Sequence, residues 1–502
     1  MWRHAAPNLG VLVPTEQDIV DVAVVGAGPV GLWLARELTL GGVRVRVLER
    51  DTERSPYIRA FGLQPRSLEI LDMRGLLSSV VSERSRKLPV ANVAGLLPWL
   101  TLAGLDTSHP YGLSVRQNVV EEIIEASLAE LGVLVDRGDA AVGLDTTSPD
   151  SVDVKLESGD VVTARYVVGC DGAHSAVRKL AGIDFPGSSA TATYILADVT
   201  LAEPPEWLGQ LGIKHFPAPD GSRLGWFMGG TVPDTGRHRI MLCDRQSAQV
   251  VKEEPVSFEE LRELLVRLTG SDCGAHSPTW LSRVGNPARV AAQYRAGRVL
   301  LAGDAAHVHS PFGGQGLNTG LQDATNLGWK LAAVARGDAD EELLDTYHHE
   351  RHPIGKAVIA NTMAQTTMVF DFTPGGQHLR DLVSRLLEIP DVNSYLAGQI
   401  TALDYAYPPA DEDAHPLVGA RLPNLSLRLG DGTGHLYDHF QDAAHILLSR
   451  TGATADTGQL PAVSGEVKVV HGWPDEPREG WDDAQTVLIR PDGHIAAVTT
   501  TA

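Results

Sequence analysis

The chain has 502 residues, 43% of them hydrophobic and 21% charged, the composition of a globular protein of about three domains. Its formal charge of −21 argues against a nucleic-acid partner, whose phosphates call for a surplus of Lys and Arg. Cys170, Cys243 and Cys273 are its three cysteines, too far apart for a CxxC pair or a zinc set, so a disulfide scaffold is set aside and a reducing, cytoplasmic context is expected.

The N-terminal "MWRHAAPNLGVLVPTEQD" has no apolar core of signal-peptide type. "DIVDVAVV", residues 18–25, reads as a buried strand. Gly26, Gly28 and Gly31 follow in a G-x-G-x-x-G loop, then the helical pattern "LWLARELTLGG" stopped at Gly41-Gly42, then the strand "VRVRVLER" with Glu49 near its end. Each position has a physical task. Gly26 permits the turn, Gly28 lets backbone approach a pyrophosphate, and Gly31 lets helix and strand pack closely. The helix N-terminus offers N–H groups to phosphate, and Glu49, 23 residues after Gly26, accepts from ribose hydroxyls. The unit predicts a dinucleotide site without choosing between NAD and FAD.

The run "LPVANVAGLLPWLTLAGL", residues 88–105, is broken by two prolines. It is expected to be buried or pocket-lining chain rather than a membrane span. "ARYVVGCDGAHSAVRKLAGI" predicts a strand, a turn at Gly169–Gly172 and a short helix, and spacing alone favours Asp171 as the cap of that helix. From residue 185 to 280, short runs rich in β-branched and aromatic residues ("TATYILADVTL", "SRLGWFMGG", "HRIMLCDRQ") alternate with turn clusters. They predict an antiparallel sheet inserted into the nucleotide-binding domain, either a substrate-pocket wall, with Trp226 and Phe227 as its pocket candidates, or a purely structural insert. "SFEELRELLVRLTG" reads as a capped helix without chemistry.

"GRVLLAGDAAHVHSPFGGQGLNTGLQDATNLGWKLAAVARG" opens on a strand with Asp304 at its carboxyl end. Asp304 suits polyol hydroxyls and would repel phosphate. The glycines from Gly313 onward then present backbone N–H groups at a helix start. Together these features predict a ligand carrying a polyol and an electron-poor ring, stretched between the two glycine loops. His348 and His352 sit four apart without a third recognisable metal ligand, and His307 and His309 are expected as packing or pocket residues, so no metal is expected. No GxSxG elbow or Walker lysine is present.

In their order and content, "GAGPVG" at 26–31, "CDGAHSAVR" at 170–178 and "GDAAHVHSPFGGQGLNTGLQDATNLGWKLA" at 303–332 resemble the class A flavoprotein monooxygenases of the para-hydroxybenzoate hydroxylase type. Within these, the chain is most similar to the polyketide-tailoring branch of angucycline and anthracycline hydroxylases, rifampicin monooxygenase and the premithramycin Baeyer–Villiger enzyme.

The resemblance implies an α/β fold with a β-rich insert: a Rossmann-like FAD domain of GR2 type (residues 18–184 and 281–400), an antiparallel substrate domain (185–280) and a thioredoxin-like tail (414–502). That tail has no cysteine after Cys273, which excludes thiol redox chemistry there. It implies FAD held by Gly26, Gly28, Val30, Gly31, Glu49, Arg50, Arg59, Gln117, Asp171, Asp304, Gly316, Leu317 and Asn318, so a cofactor role for Asp171 displaces the capping one. Pro311, Phe312 and Gly314 are expected near the ring.

NADPH or NADH is implied as a transient reductant and O2 as co-substrate, with oxygen transfer through a flavin C4a-hydroperoxide. The implied reaction is hydroxylation of a small polycyclic aromatic substrate; the alternatives are Baeyer–Villiger oxygenation or a flavin-holding protein without oxygenase activity. No side chain stands out as an obligatory base, because a phenol supplies its own activation. No membrane partner is expected, and the chain is expected to be a monomer or homodimer.

Overall fold

The computed structural model describes residues 19–57, 60–209, 211–409, 411, 413–430, 432–450 and 465–500. Its organising element is an eight-stranded mixed sheet whose parallel centre runs in the order Val299–Leu301, Val161–Gly169, Val20–Val25, Val45–Glu49, Val135–Arg137. These strands are continuous apolar runs because helices cover them; Val22, Val24, Val47, Val167 and Leu300 are fully buried. A hairpin, Ala141–Asp145 and Val152–Leu156, pairs antiparallel with the first half of Val161–Gly169.

The first helix, Pro29–Leu40, starts with proline at a position where a missing N–H costs nothing. It packs against the 21-residue helix Gly316–Arg336, and Trp33 Nε1 donates to Thr325 Oγ1 at 2.8 Å across that contact. Helix and strand come this close only because of two glycines. Gly26 holds φ +105°, and a Cβ there would lie 2.5 Å from the Cys170 carbonyl oxygen. A Cβ on Gly31 would lie 1.9 Å from the Gly26 oxygen.

The insert is a five-stranded antiparallel sheet in the order Gly212–Pro217, Arg223–Val232, Arg237–Asp244, Thr193–Leu201, Ala275–Gly285, so it runs five residues past the expected boundary at 280. Helix Phe258–Thr269 covers its outer face, capped by Ser257 Oγ accepting from Glu260 N and ended by Gly270 in the left-handed region. Ile195, Ala197, Phe227, Ile240 and Leu242 pack there against Leu261, Leu264, Leu265 and Leu268. The inner face carries Tyr194, Leu196, Met228 and Met241 toward the large sheet.

The apolar segment at 88–105 is buried at Ala91, Val93, Ala94, Leu96, Leu100 and Leu102 and exposed at Leu97, and it stands outside the lining of the two large cavities. It forms the small ribbon Val90–Ala91 with Leu100–Thr101 and packs with Val369, Leu387, Ala397 and Ile400 from the helices Leu343–Phe370, Pro374–Leu387 and Pro390–Thr401. No helix among the described residues is long and apolar enough to cross a membrane.

Residues after 414 build a six-stranded sheet in which His445–Ser449 and Val467–Pro474 are parallel and the other pairs antiparallel. Its turn Arg490–Gly493, with Gly493 at φ +77°, plugs against the helices Pro65–Met73, Gly316–Arg336 and Leu343–Phe370. Arg490 makes paired 2.8 Å bonds to Glu350, which also accepts from the fully buried Lys330 at 2.8 Å. Arg66 donates to the Asp492 carbonyl and Arg74 to the Pro491 carbonyl. The charges cross this buried interface because each meets a partner.

Candidate active site

Four strand ends, Val25, Glu49, Gly169 and Leu301, point their carboxyl termini to one edge of the parallel sheet, where open α/β sheets take ligands. Two helices begin at that edge without a side-chain cap: Pro29–Leu40 behind Gly28, and Gly316–Arg336 behind Gln315. The first intrahelical bonds are Leu32 N to Gly28 O and Thr319 N to Gln315 O. The N–H groups of Val30 and Gly31, and of Gly316 and Leu317, therefore have no partner inside their helices. Two positive helix ends thus face one cavity of about 760 Å³.

Most of the residues singled out in sequence meet in this cavity. Gly26, Gly28, Val30, Glu49, Arg50 and Gln117 line one arm; Asp171, Asp304, Gly316 and Leu317 line its floor, with Pro311, Phe312 and Gly314 beside them. Glu49 accepts from Ala27 N at 2.7 Å and from Asp51 N at 3.0 Å, which holds the first glycine loop against the second strand. Gln117 Nε2 donates to Glu121.

Asp171 caps the helix that follows it and keeps one carboxylate oxygen toward the cavity. Its Oδ2 accepts from Ala176 N at 2.6 Å and Val177 N at 3.1 Å, capping the short helix Ala176–Leu180, while its buried Oδ1 has no partner. Asp304 sits in the single turn Gly303–Ala305 at the end of its strand. The turn is fixed from behind by Asp323, which accepts from Gly303 N, His307 Nε2 (2.7 Å) and Arg351 Nε (2.8 Å). Burial pushes up the Asp323 carboxyl's affinity for its proton, but the Arg351 guanidinium and the hydrogen bonds from His307 and Arg351 outweigh that and hold its pKa below the usual value.

Four of the expected residues are not among the lining of this cavity. A Cβ on Gly31 would meet the Gly26 carbonyl, and only its backbone stands at the cavity-facing helix start. Asn318 is 2% exposed, and its side chain is a staple: Oδ1 accepts from Gln64 N at 2.7 Å and Nδ2 donates to Gly314 O at 2.7 Å. Phe227 is fully buried under the outer helix, because neighbours on a strand face opposite ways and Phe227 follows Trp226. Trp226 is on the inner face but one layer back, packed edge-on against Phe312 and Phe370 at 6.0 Å. Arg59 lies outside the described residues. His348 and His352 stack on each other at 4.5 Å beside Tyr294.

Other cavity residues, His309 apart, were not singled out in sequence. Met228, Met241, Leu196 and Trp280 floor the insert side. Arg239 stands among them, a charge inside the apolar run "HRIMLC" and the one signal that could have found it. His309 lines the cavity beside Gly316. Its Nδ1 donates to the Ser310 carbonyl at 2.8 Å, which leaves Nε2 as a bare acceptor without a partner, and burial pushes its pKa down to about 4.

The residues present fit an FAD. A Cβ on Gly28 would meet no protein atom within 4 Å, so its face is open to a phosphate at the helix start. The unpartnered Asp171 oxygen and the Asp304 carboxylate suit hydroxyls.

A family model described as FAD binding domain matches residues 19–362, and one described as aromatic-ring hydroxylase, C-terminal, matches residues 415–502. An uncharacterized aromatic compound monooxygenase, YhjG, of Bacillus subtilis (strain 168) is 43% identical over 95% of this chain and 93% of its own. The 12-dehydrotetracycline 5-monooxygenase/anhydrotetracycline 6-monooxygenase of Streptomyces rimosus subsp. rimosus is 42% identical over 95% and 94%. The solved structure of OxyS anhydrotetracycline hydroxylase from Streptomyces rimosus superposes with a TM-score of 0.87 at 40% identity, covering 96% of both chains.

Proposed function

The chain belongs to the FAD-binding aromatic-ring hydroxylase family and is an FAD-dependent monooxygenase, and on that premise we propose that it hydroxylates a polycyclic phenol of polyketide type in natural-product tailoring. The observation that carries this is the cavity itself. One wall is backbone at two helix starts, suited to one long cofactor; the other is a sheet face of Met228, Met241, Leu196 and Trp280, suited to a flat apolar body.

In this proposal Val30, Gly28 and the first helix start take the pyrophosphate, and Glu49 and Arg50 take the adenosine side. Asp304, Asp171 and Gln117 take the sugar-alcohol chain. The N–H groups of Gly316 and Leu317 face the ring and favour negative charge on it. Bound FAD supplies the oxygen-transferring chemistry; the protein positions the substrate and keeps water out.

NADPH or NADH is the proposed reductant, with O2 as co-substrate. A second hollow of about 770 Å³ adjoins the cavity through His174, Lys252, Pro287 and Val308. Its lining of Arg178, Lys179, Lys252 and Arg289 suits the reductant's phosphates. The large sheet is proposed as a Rossmann-like domain. The tail is proposed as thioredoxin-like, supported by the parallel pairing of His445–Ser449 with Val467–Pro474 within an otherwise antiparallel sheet among the described residues. The tail's role is to brace the FAD-side helices through Arg490.

Product mass analysis under labelled O2, with NADPH and a panel of angucyclinones and anthracyclinones, tests the function. One labelled oxygen gained with the ring intact is expected. A lactone would mean Baeyer–Villiger chemistry, and a yellow protein that consumes no NADPH with any member would end the oxygenase proposal.

A further inference from the structure

The register of the insert sorts its inner face into rungs. Gly230, Arg239, Asp198 and Trp280 stand opposite one another; Met228, Met241, Leu196 and Ser282 form the next rung; Trp226 pairs with Cys243 and Tyr194 with Val284 in the third. Ser282 apart, the middle rung is apolar and soft. The first holds a buried cation, Arg239, beside it.

Arg239 is 7% exposed. Its Nε and Nη2 donate to the two Asp198 oxygens at 2.8 and 2.6 Å, and its guanidinium lies 5.1 Å from the Trp280 ring centre and 5.7 Å from that of Phe61. A guanidinium carries five N–H donors, so Asp198 leaves about three. The bonds to Asp198 are the side-chain hydrogen bonds of Arg239 among the described residues, and Arg239, Trp280 and Phe61 all line the cavity, so the remaining donors stand where the oxygen atoms of a ligand can reach them. An ion pair serving only the fold would gain nothing from this place, since apolar residues would fill it as well.

At the other end of the face, the Tyr194 hydroxyl is buried without a partner, and its ring packs 6.2 Å from Phe312. Tyr194 and Asp198 are four residues apart on one extended strand, about 13 Å. One benzene ring does not bridge that span; a linear fused polycycle does.

We propose that Arg239 is the substrate-orienting residue: it donates to the ionised oxygen of a phenol or enolised diketone at one end of a flat polycycle, Trp280 covers the same ring, and the Tyr194 hydroxyl donates to a carbonyl at the far end. Asp198 is the positioning residue that holds the guanidinium edge-on. The phenolic proton passes to solvent as the substrate binds, and the resulting oxyanion enriches the ring carbons that receive oxygen. A planar fork suits this better than an ammonium, because it stacks and donates at once. The inference rests on the polycyclic-phenol proposal above and adds the ionisation state and orientation of that substrate.

Visible titration of the FAD-loaded enzyme with 1,2-dihydroxyanthraquinone tests it, because the dye's phenolate absorbs at longer wavelength than its phenol. Wild type is expected to show the phenolate band at least one pH unit below the free dye's own transition. Arg239→Met is expected to lose that band and to raise Kd by about tenfold or more, with Arg239→Lys recovering part of both. Retained flavin absorbance reports that each variant is folded. Arg239→Met with wild-type Kd and band, or wild type that binds only the neutral dye, overturns the role of Arg239 and leaves the proposed function standing. Wild type that binds no dihydroxyanthraquinone removes both.

Discussion

Across the cavity, two walls do their work with different parts of the chain. The wall made by the large sheet presents backbone: glycine loops at strand ends and the uncapped starts of Pro29–Leu40 and Gly316–Arg336. The wall made by the insert presents side chains: Met228, Met241, Leu196, Trp280 and Arg239. A backbone wall depends on glycine and on close approach, so few sequences build it. A side-chain wall keeps its sheet whatever its inner face carries, provided the outer face still packs on Phe258–Thr269. In the proposed function, cofactor recognition and substrate recognition are thereby separated onto surfaces that tolerate change differently.

The comparison breaks most sharply at Gly31. Gly31→Val places carbon where 1.9 Å separates a Cβ from the Gly26 oxygen, so the helix start must shift and the phosphate cradle with it. Purified protein is expected to be colourless or unfolded; stoichiometric flavin absorbance in this variant would show that the backbone wall is not the cofactor's.

Asp304→Ala removes one carboxylate from the same wall without altering the fold around Asp323. The loss of charge-assisted hydrogen bonds, about 2 kcal/mol, is expected to weaken FAD binding by roughly thirtyfold, measured by flavin release on dilution. Unchanged retention would move the sugar-alcohol contact elsewhere.

Trp280→Ala strikes the other wall. It removes a ring from the cavity face and from above Arg239 while touching none of the strand ends. KM for a polycyclic substrate is expected to rise by about tenfold, roughly 1.4 kcal/mol, with FAD content unchanged. Coupled losses of FAD and substrate binding would mean that the two walls are not separate devices.

The backbone wall was largely legible in the chain. Glycines at fixed spacing, an acid 23 residues on, and Asp304 before a glycine-rich helix start are local patterns, and local patterns survive without a fold. Asn318 shows the limit: its motif placed it at the right helix start, but only the packed structure shows its amide closing the loop between Gln64 and Gly314.

The side-chain wall was legible only as a sheet. Alternation along "SRLGWFMGG" states that Trp226 and Phe227 face opposite ways, yet both were candidates, because nothing in a strand says which face the helix will cover. Arg239 stood in plain view, and its meaning awaited Asp198 on the neighbouring strand and Trp280 beyond it, 41 residues further along the chain from Arg239.

By itself, then, the sequence determined two glycine-rich helix starts, the acids beside them and the presence of an inserted sheet, while the choice of FAD came from the resemblance carried by three motifs in order. The loops and the sheet depend on residues within a few turns of one another. Tertiary structure decided which face of the insert meets the cavity, how the Arg490–Gly493 turn anchors the tail, and which charged side chain is left with donors to spare. These depend on pairings between segments distant in sequence, and such pairings follow from where whole elements pack rather than from any local pattern.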